Sequence, residues 1–268
     1  MPMRRVEADF SAEPGPEWKR HVVAPSTIEA AGGIWRFTNH PAQPRQYTNA
    51  QIDDYQGLPR GAFPWRAPLT LTVRARFSHN FGQLTGTAGF GFWNDPLVMT
   101  GGRRPALPRA VWFFHGSPHT NLKLALDTPG HGWKAATVDA RRLPFFLLAP
   151  TAPLAIPLMN IRPLYRTLWP IAQRAIQVSE ALIDVDMTAW HTYVLHWGAS
   201  RATFRVDQDT VLDAPASPRG RLGFVMWIDN QAMTVTPWGR FGWRTVQVSE
   251  PQWMEISKLS IQPDSIRE

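Results

Sequence analysis

The 268-residue chain is 44% hydrophobic and 18% charged, with 13 tryptophans against 4 tyrosines, a balance that allows a sizeable core and excludes wholesale disorder. It contains no cysteine, which excludes disulfides and thiolate chemistry. The net charge of +7 rests mostly on arginines that occur in pairs at most, with no basic run to follow a phosphate backbone, so no nucleic-acid partner is expected.

The chain opens with M-P-M-R-R-V-E-A-D-F, which has no apolar signal-peptide core; a cytoplasmic location is the expectation. Alternating segments then read as strands at 32–39 and 69–77, followed by P-R-A-V-W-F-F-H-G-S-P over 108–118. Further strands are expected at 190–197, 201–207, 221–229 and 253–261. Turn signals separate them: Gly-Ala-Ser after Trp197, Asp-Gln-Asp after Val206, and Ser-Pro-Arg-Gly before Arg221. Many short strands with Pro/Gly turns and few helices predict an all-β sandwich or jelly roll, one domain over 1–268.

One region breaks the pattern. From Leu143 to Ile161 no residue is charged, yet Pro144, Pro150, Pro153 and Pro157 forbid a regular membrane-spanning helix. Leu164, Leu168, Ile171, Ala175, Val178 and Leu182 then recur at helical spacing, with Pro170 as a kink or a true start. The expectation is an apolar, partly helical insertion over 143–183. It serves as packing on the sandwich, as a lid over a cleft, or as a peripheral membrane contact.

The order of segments carries a resemblance. Y-T-N-A-Q-I-D-D-Y (47–55) precedes the strand at 69–77; then come L-T-G-T-A-G-F-G-F-W-N-D-P (84–96) and the hairpin W-H-T-Y-V-L-H-W-G-A-S-R-A-T-F-R-V-D (190–207). Over roughly 30–262 this resembles the concanavalin A-like jelly roll of glycoside hydrolase family 16. The resemblance implies two antiparallel sheets and a concave cleft. It also implies paired acids, E-x-D-x-E or E-x-D-x-x-E, on the strand after the Phe-Trp segment. A retaining glycosidase needs two carboxyls about 5–5.5 Å apart, which alternate positions on one strand face supply. By order that strand is 109–116, and here it has no acid at all. The family's catalytic residues have no counterparts, and hydrolysis by that motif is not expected.

Other groups remain as candidates. Asn94 and Asp95 in Trp-Asn-Asp-Pro form either a turn or a cleft edge. On 221–229, Val225, Trp227 and Asp229 share a face that Gln231 extends. His115 closes the aromatic strand as a core residue or a general base. Asp53 and Asp54 are expected in a solvated loop. His115 and His119, and His191 and His196, lack metal-ligand spacing, and two carboxylates at Asp184 and Asp186 are few for calcium. No metal or cofactor is expected, since no phosphate loop or dinucleotide fingerprint is present.

The reading is a cleft lined by Trp93, Asn94, Trp112, Trp227 and Gln231, with Asp229, Asp95 and His115 as candidates for proton transfer. The first function is binding of a carbohydrate or an amphipathic small molecule. The alternatives are an enzyme on a hydrophobic substrate (a lipid, terpenoid or polyketide-like molecule) under the apolar lid, and a glycosidase with relocated carboxylates.

Overall fold

The computed structural model describes residues 5–101 and 103–264. Among them the strands are, in chain order, β1 (Val6–Glu7), β2 (Lys19–Val23), β3 (Thr27–Ala31), β4 (Ile34–Asn39), β5 (Asn49–Asp53), β6 (Leu69–Phe77), β7 (Thr87–Trp93), β8 (Arg109–Gly116), β9 (Asn121–Leu122) and β10 (Gly132–Asp139). Three helices follow: α1 (Leu143–Leu148), α2 (Ala152–Leu158) and α3 (Arg162–Ala175). The chain then continues through β11 (Ser179–Leu182), β12 (His191–Trp197), β13 (Ala202–Val206), β14 (Asp209–Ala214), β15 (Gly223–Asp229), β16 (Gln231–Val235), β17 (Phe241–Thr245) and β18 (Gln252–Pro263).

Two antiparallel sheets make the sandwich. One runs β14-β13-β12-β6-β18-β4-β3, with β1 also on β18; the other runs β11-β10-β8-β7-β15-β5-β2. Strands alternating apolar and polar residues, such as 69–77, bury one row against the opposite sheet and expose the other. The core between the sheets is aromatic: Tyr193 of β12 meets Phe113 at 5.2 Å and Phe90 at 5.4 Å, and Trp197 meets Phe92 at 5.3 Å. The Tyr193 and Trp197 of the hairpin motif are therefore core residues.

In the second sheet, β8, β10 and β15 are buried on both faces or nearly so. Something covers the outer face. The cover is the helical segment together with a small third sheet, β17-β16-β9, in which β9 and β16 run parallel.

The helices occupy 143–175 rather than the whole of 143–183. Gln177 adopts a positive φ of 51°, which turns the chain out of α3. Residues 179–182 then pair with β10 as an edge strand. Val178 and Leu182, expected on the helix, lie beyond it, and Pro170 lies within α3.

Candidate functional site

The outer face of the second sheet is built by residue alternation. On β7 the outward positions are Thr87, Gly89, Gly91 and Trp93, while Ala88, Phe90 and Phe92 point into the core. A Cβ on Gly89 would lie 2.3 Å from the Phe113 carbonyl oxygen and 3.0 Å from the Trp227 ring; one on Gly91 would lie 2.6 Å from Trp112 Cα. Because both positions are glycine, Trp112 of β8 and Trp227 of β15 meet across β7, with centroids 5.5 Å apart. Phe114 stacks on Trp112 at 5.5 Å and Trp93 lies 5.6 Å from it. The result is a continuous aromatic floor. Two of its three indole N–H groups find partners within the protein: Trp227 Nε1 donates to Thr87 Oγ1 at 2.9 Å, and Trp93 Nε1 to the Tyr55 hydroxyl at 2.7 Å.

One end of the floor is polar. Asp229 closes β15 opposite Thr87 and Asn49. Its Oδ1 accepts three hydrogen bonds, from Thr87 Oγ1 at 2.7 Å, Gln231 N at 3.0 Å and Thr87 N at 3.2 Å, and its Oδ2 takes none of them. No salt bridge reaches this carboxylate among the described residues. Burial pushes it up to about 6, against the pull of the three donors. Tyr47 lies beside it, its phenol held well above the usual range by burial first and the Asp229 charge second. Gln231 contributes a side-chain amide that faces the Tyr47 phenol and opposes its shift, its buried Nε2 making no well-formed hydrogen bond. Gln51 sits beside Trp227 in the sheet, and His21 opposite Gln51.

The roof is apolar. Helices α1 to α3, the β16–β17 hairpin and the segment after Asp95 partly cover a cavity of about 620 Å³ over this floor. Leu148, Ala155, Ile156, Met159, Leu168 and Ala172 line it from the helices, and Met233, Val235 and Phe241 from the hairpin. The roof is tied down: Trp169 Nε1 donates to the Leu124 carbonyl at 2.9 Å, and Gln173 Oε1 accepts from Leu126 N at 2.9 Å. Among the described residues Asp229 is the one carboxylate on the cavity wall.

Trp93, Trp112, Trp227, Gln231 and Asp229 are thus brought together as the sequence suggested. Three other candidates are not. His115 shares the core-facing row of Phe113, lies opposite Ala88 and Trp133, and is fully buried between the sheets. Burial lowers it to about 4, and Nε2 lies 3.0 Å from the Leu84 carbonyl. The neutral ring donates that bond, and His115 is a core residue.

Asp95 is buried in its loop and does not line the cavity. Its oxygens take Met99 N at 2.7 Å, Thr100 Oγ1 at 2.9 Å and the Arg103 guanidinium at 2.6 Å. Asn94 is equally structural, accepting from Arg109 N and donating to the Leu107 carbonyl, both at 2.9 Å. Asp53 is buried and Asp54 half-buried rather than solvated, each gripped by neighbouring donors such as Tyr55 N and Phe224 N.

Tyr47, Gln51 and His21 escaped the sequence reading. The available signal was the period-two row Asn49, Gln51 and Asp53, a polar face on a strand buried throughout. Among the described residues, no group of three or more metal-ligating side chains converges.

No protein-family model matches the sequence, and no curated relative does either. Structural comparison is decisive for the fold. LamAcat from Zobellia galactanivorans superimposes with a TM-score of 0.54 at 12% identity, covering 96% of both chains. A LamA variant from the same organism, in complex with laminaritriose and laminaritetraose, gives 0.56 at 14% identity, covering 96% of this chain and 98% of that one. The fold is the jelly roll of family 16-type laminarinases and lichenases. A lichenase from a mouse hindgut metagenome adds a TM-score of 0.52 at 11% identity, over 97% of this chain and 99% of that one.

On this jelly roll, the strand that follows the Phe-Trp segment is β8, hydrogen-bonded beside β7. Its outward row is Ala110, Trp112 and Phe114, and its inward row Val111, Phe113 and His115. Neither row offers a carboxylate.

Proposed function

We propose that this protein binds a hydrophobic or amphipathic small molecule in the lidded cavity and performs acid/base chemistry on it at Asp229. The observation that carries this reading is the pairing of an apolar cavity of about 620 Å³ with a single buried carboxyl at one end, its pKa raised to about 6. The apolar walls favour apolar ligand surface, and burial keeps the carboxyl protonated to near-neutral pH.

In this reading Oδ1 is held by Thr87 and Gln231 N, so Oδ2 is the oxygen that gives or takes a proton. The unpartnered Gln231 Nε2 and the Tyr47 hydroxyl orient a polar group of the ligand. A buried donor without a partner costs about 1–3 kcal/mol, which a ligand oxygen would recover. The aromatic floor holds the apolar body by stacking. A carbohydrate is a poorer match, because the walls offer few hydrogen-bonding groups for its hydroxyls. A relocated two-carboxylate glycosidase lacks its second acid on this wall.

The test is a ligand search by native mass spectrometry and binding of N-phenyl-1-naphthylamine, an apolar fluorophore. The wild type should bind the fluorophore and retain an apolar molecule from cell extract. Ala155→Phe, which fills the cavity, should abolish both without unfolding the chain. Asp229→Asn should still bind the retained molecule but lose its conversion by about 10²–10⁴-fold, the usual worth of a positioned proton donor or acceptor. Binding unaffected by Ala155→Phe would overturn the reading.

A further inference from the structure

Of the helices that roof the cavity, α1 and α2 are apolar on both faces, while α3 carries arginines on its outer side. In α1, Leu148 lines the cavity while Leu143, Phe146 and Leu147 face outward, Leu147 being 68% exposed. In α2, Ile156 lines the cavity while Leu154 is 72% exposed. Across the rim, Phe241 of the hairpin both lines the cavity and stands 70% exposed. A helix apolar all round belongs in an apolar environment on both sides, and a patch of such side chains marks an interaction surface.

The helical segment itself carries charge of one sign. Residues 141–179 contain Arg141, Arg142, Arg162, Arg166 and Arg174 and no Asp or Glu. Beside the patch, Arg162, Arg166 and Arg240 outnumber one acid, Asp127, around an open hollow of about 670 Å³, with Tyr165 and Trp238 meeting edge-on at 5.3 Å. None of these three arginines makes a salt bridge among the described residues; those of Arg103 and Arg142 show what a paired guanidinium looks like in this fold. Tyr165 adds a hydroxyl without a hydrogen-bond partner. Exposed short apolar helices ringed by free guanidiniums complement an anionic phospholipid surface, with acyl chains under the helices and phosphates at the arginines. No helix of the described residues is long and apolar enough to cross a membrane, so the contact is interfacial.

We propose that the outer face of α1 to α3 and the tip of the β16–β17 hairpin dock on an anionic phospholipid bilayer, and that the cavity exchanges its ligand with that bilayer. The exchange rests on the apolar-ligand reading above; the docking stands on its own surface. Roof and hairpin are packed closely at Gly239, where a Cβ would lie 2.7 Å from Ile156 Cγ2. Parting these two elements opens the cavity onto the docked face, and an apolar molecule would pass without crossing water.

The experiment is flotation of the full chain with vesicles of phosphatidylcholine alone, or with phosphatidylglycerol added. Analytical ultracentrifugation and N-phenyl-1-naphthylamine binding are run beside it on the same variants. The wild type should float with the anionic vesicles, weakly with neutral ones, and less as salt is raised. Leu147→Glu with Leu154→Glu should abolish flotation while fluorophore binding is retained. Arg162→Gln with Arg166→Gln should weaken flotation by roughly tenfold or more, since each basic side chain at an anionic surface adds to binding.

No flotation with anionic vesicles, or flotation indifferent to the leucine pair, would overturn the docking face. So would a wild-type dimer that the leucine pair converts to monomer without any vesicle binding, because the face would then serve a second copy of the chain. Loss of fluorophore binding by Ala155→Phe with flotation intact separates the fate of the cavity from that of the surface.

Discussion

Two aspartates at ends of the same sheet make an instructive pair. Asp95 follows β7 and Asp229 closes β15, the strand beside it, and both are buried. Around Asp95 the chain supplies a guanidinium at 2.6 Å and donors for both carboxylate oxygens. Arg103 in turn lies 5.5 Å from the Tyr55 ring centroid and 5.3 Å from that of Phe63, which fixes it in place. Asp229 receives neutral donors on one oxygen and no cation. A neutralised charge makes a loop clamp; an uncompensated one beside an apolar cavity becomes a proton donor or acceptor near neutral pH. Burial alone does not separate the two roles. The partner does.

The sharpest way to break the comparison is to remove the cation. Arg103→Ala strands Asp95 as a buried charge and should destabilise the fold by about 3–5 kcal/mol, read as a loss of chemical-denaturation midpoint. An equal midpoint in the variant would mean that the pair is idle.

The next test acts on Asp229. Its folded pKa of about 6 lies above the ordinary 3.8. Between those values the folded state holds more proton than the unfolded chain, so stability falls as pH rises from about 4 to 6 and is level above. Asp229→Asn removes that penalty. It should exceed the wild type in stability by up to about 3 kcal/mol at pH 8 and by little at pH 4. Asp54, pushed up to about 7 by burial and away from the cavity, adds its own fall. The diagnostic is therefore the difference between wild type and variant, not the wild-type curve. A difference that does not change with pH would place Asp229 in an ordinary solvated setting.

A third test addresses the floor. Gly89→Ala drives a methyl into the Phe113 carbonyl and the Trp227 ring. It should cost about 1–3 kcal/mol through overpacking and weaken fluorophore binding by parting Trp112 from Trp227. The smallest effect belongs to the exposed roof: Leu154→Glu should change stability by no more than about 0.5 kcal/mol in the absence of vesicles.

Much of this molecule was legible from its residues alone. Period-two alternation marked 69–77, 190–197 and 253–261 as strands because one row of each must be buried. The missing acids of 109–116 are a local fact, and they leave that strand aromatic. The uncharged run after Leu143 marked helices that are not membrane spans, since its prolines suit short turns of helix.

Tertiary structure decided the rest, for one reason: burial and pairing are set by neighbours distant in the chain. Trp112 and His115 sit on one strand, and only the opposing sheet determines that the first faces the cavity and the second the core. Asp95 and Asp229 look alike as letters. One is neutralised by Arg103, eight residues on, while the other meets Thr87 from 142 residues away, and that difference in partners separates clamp from acid.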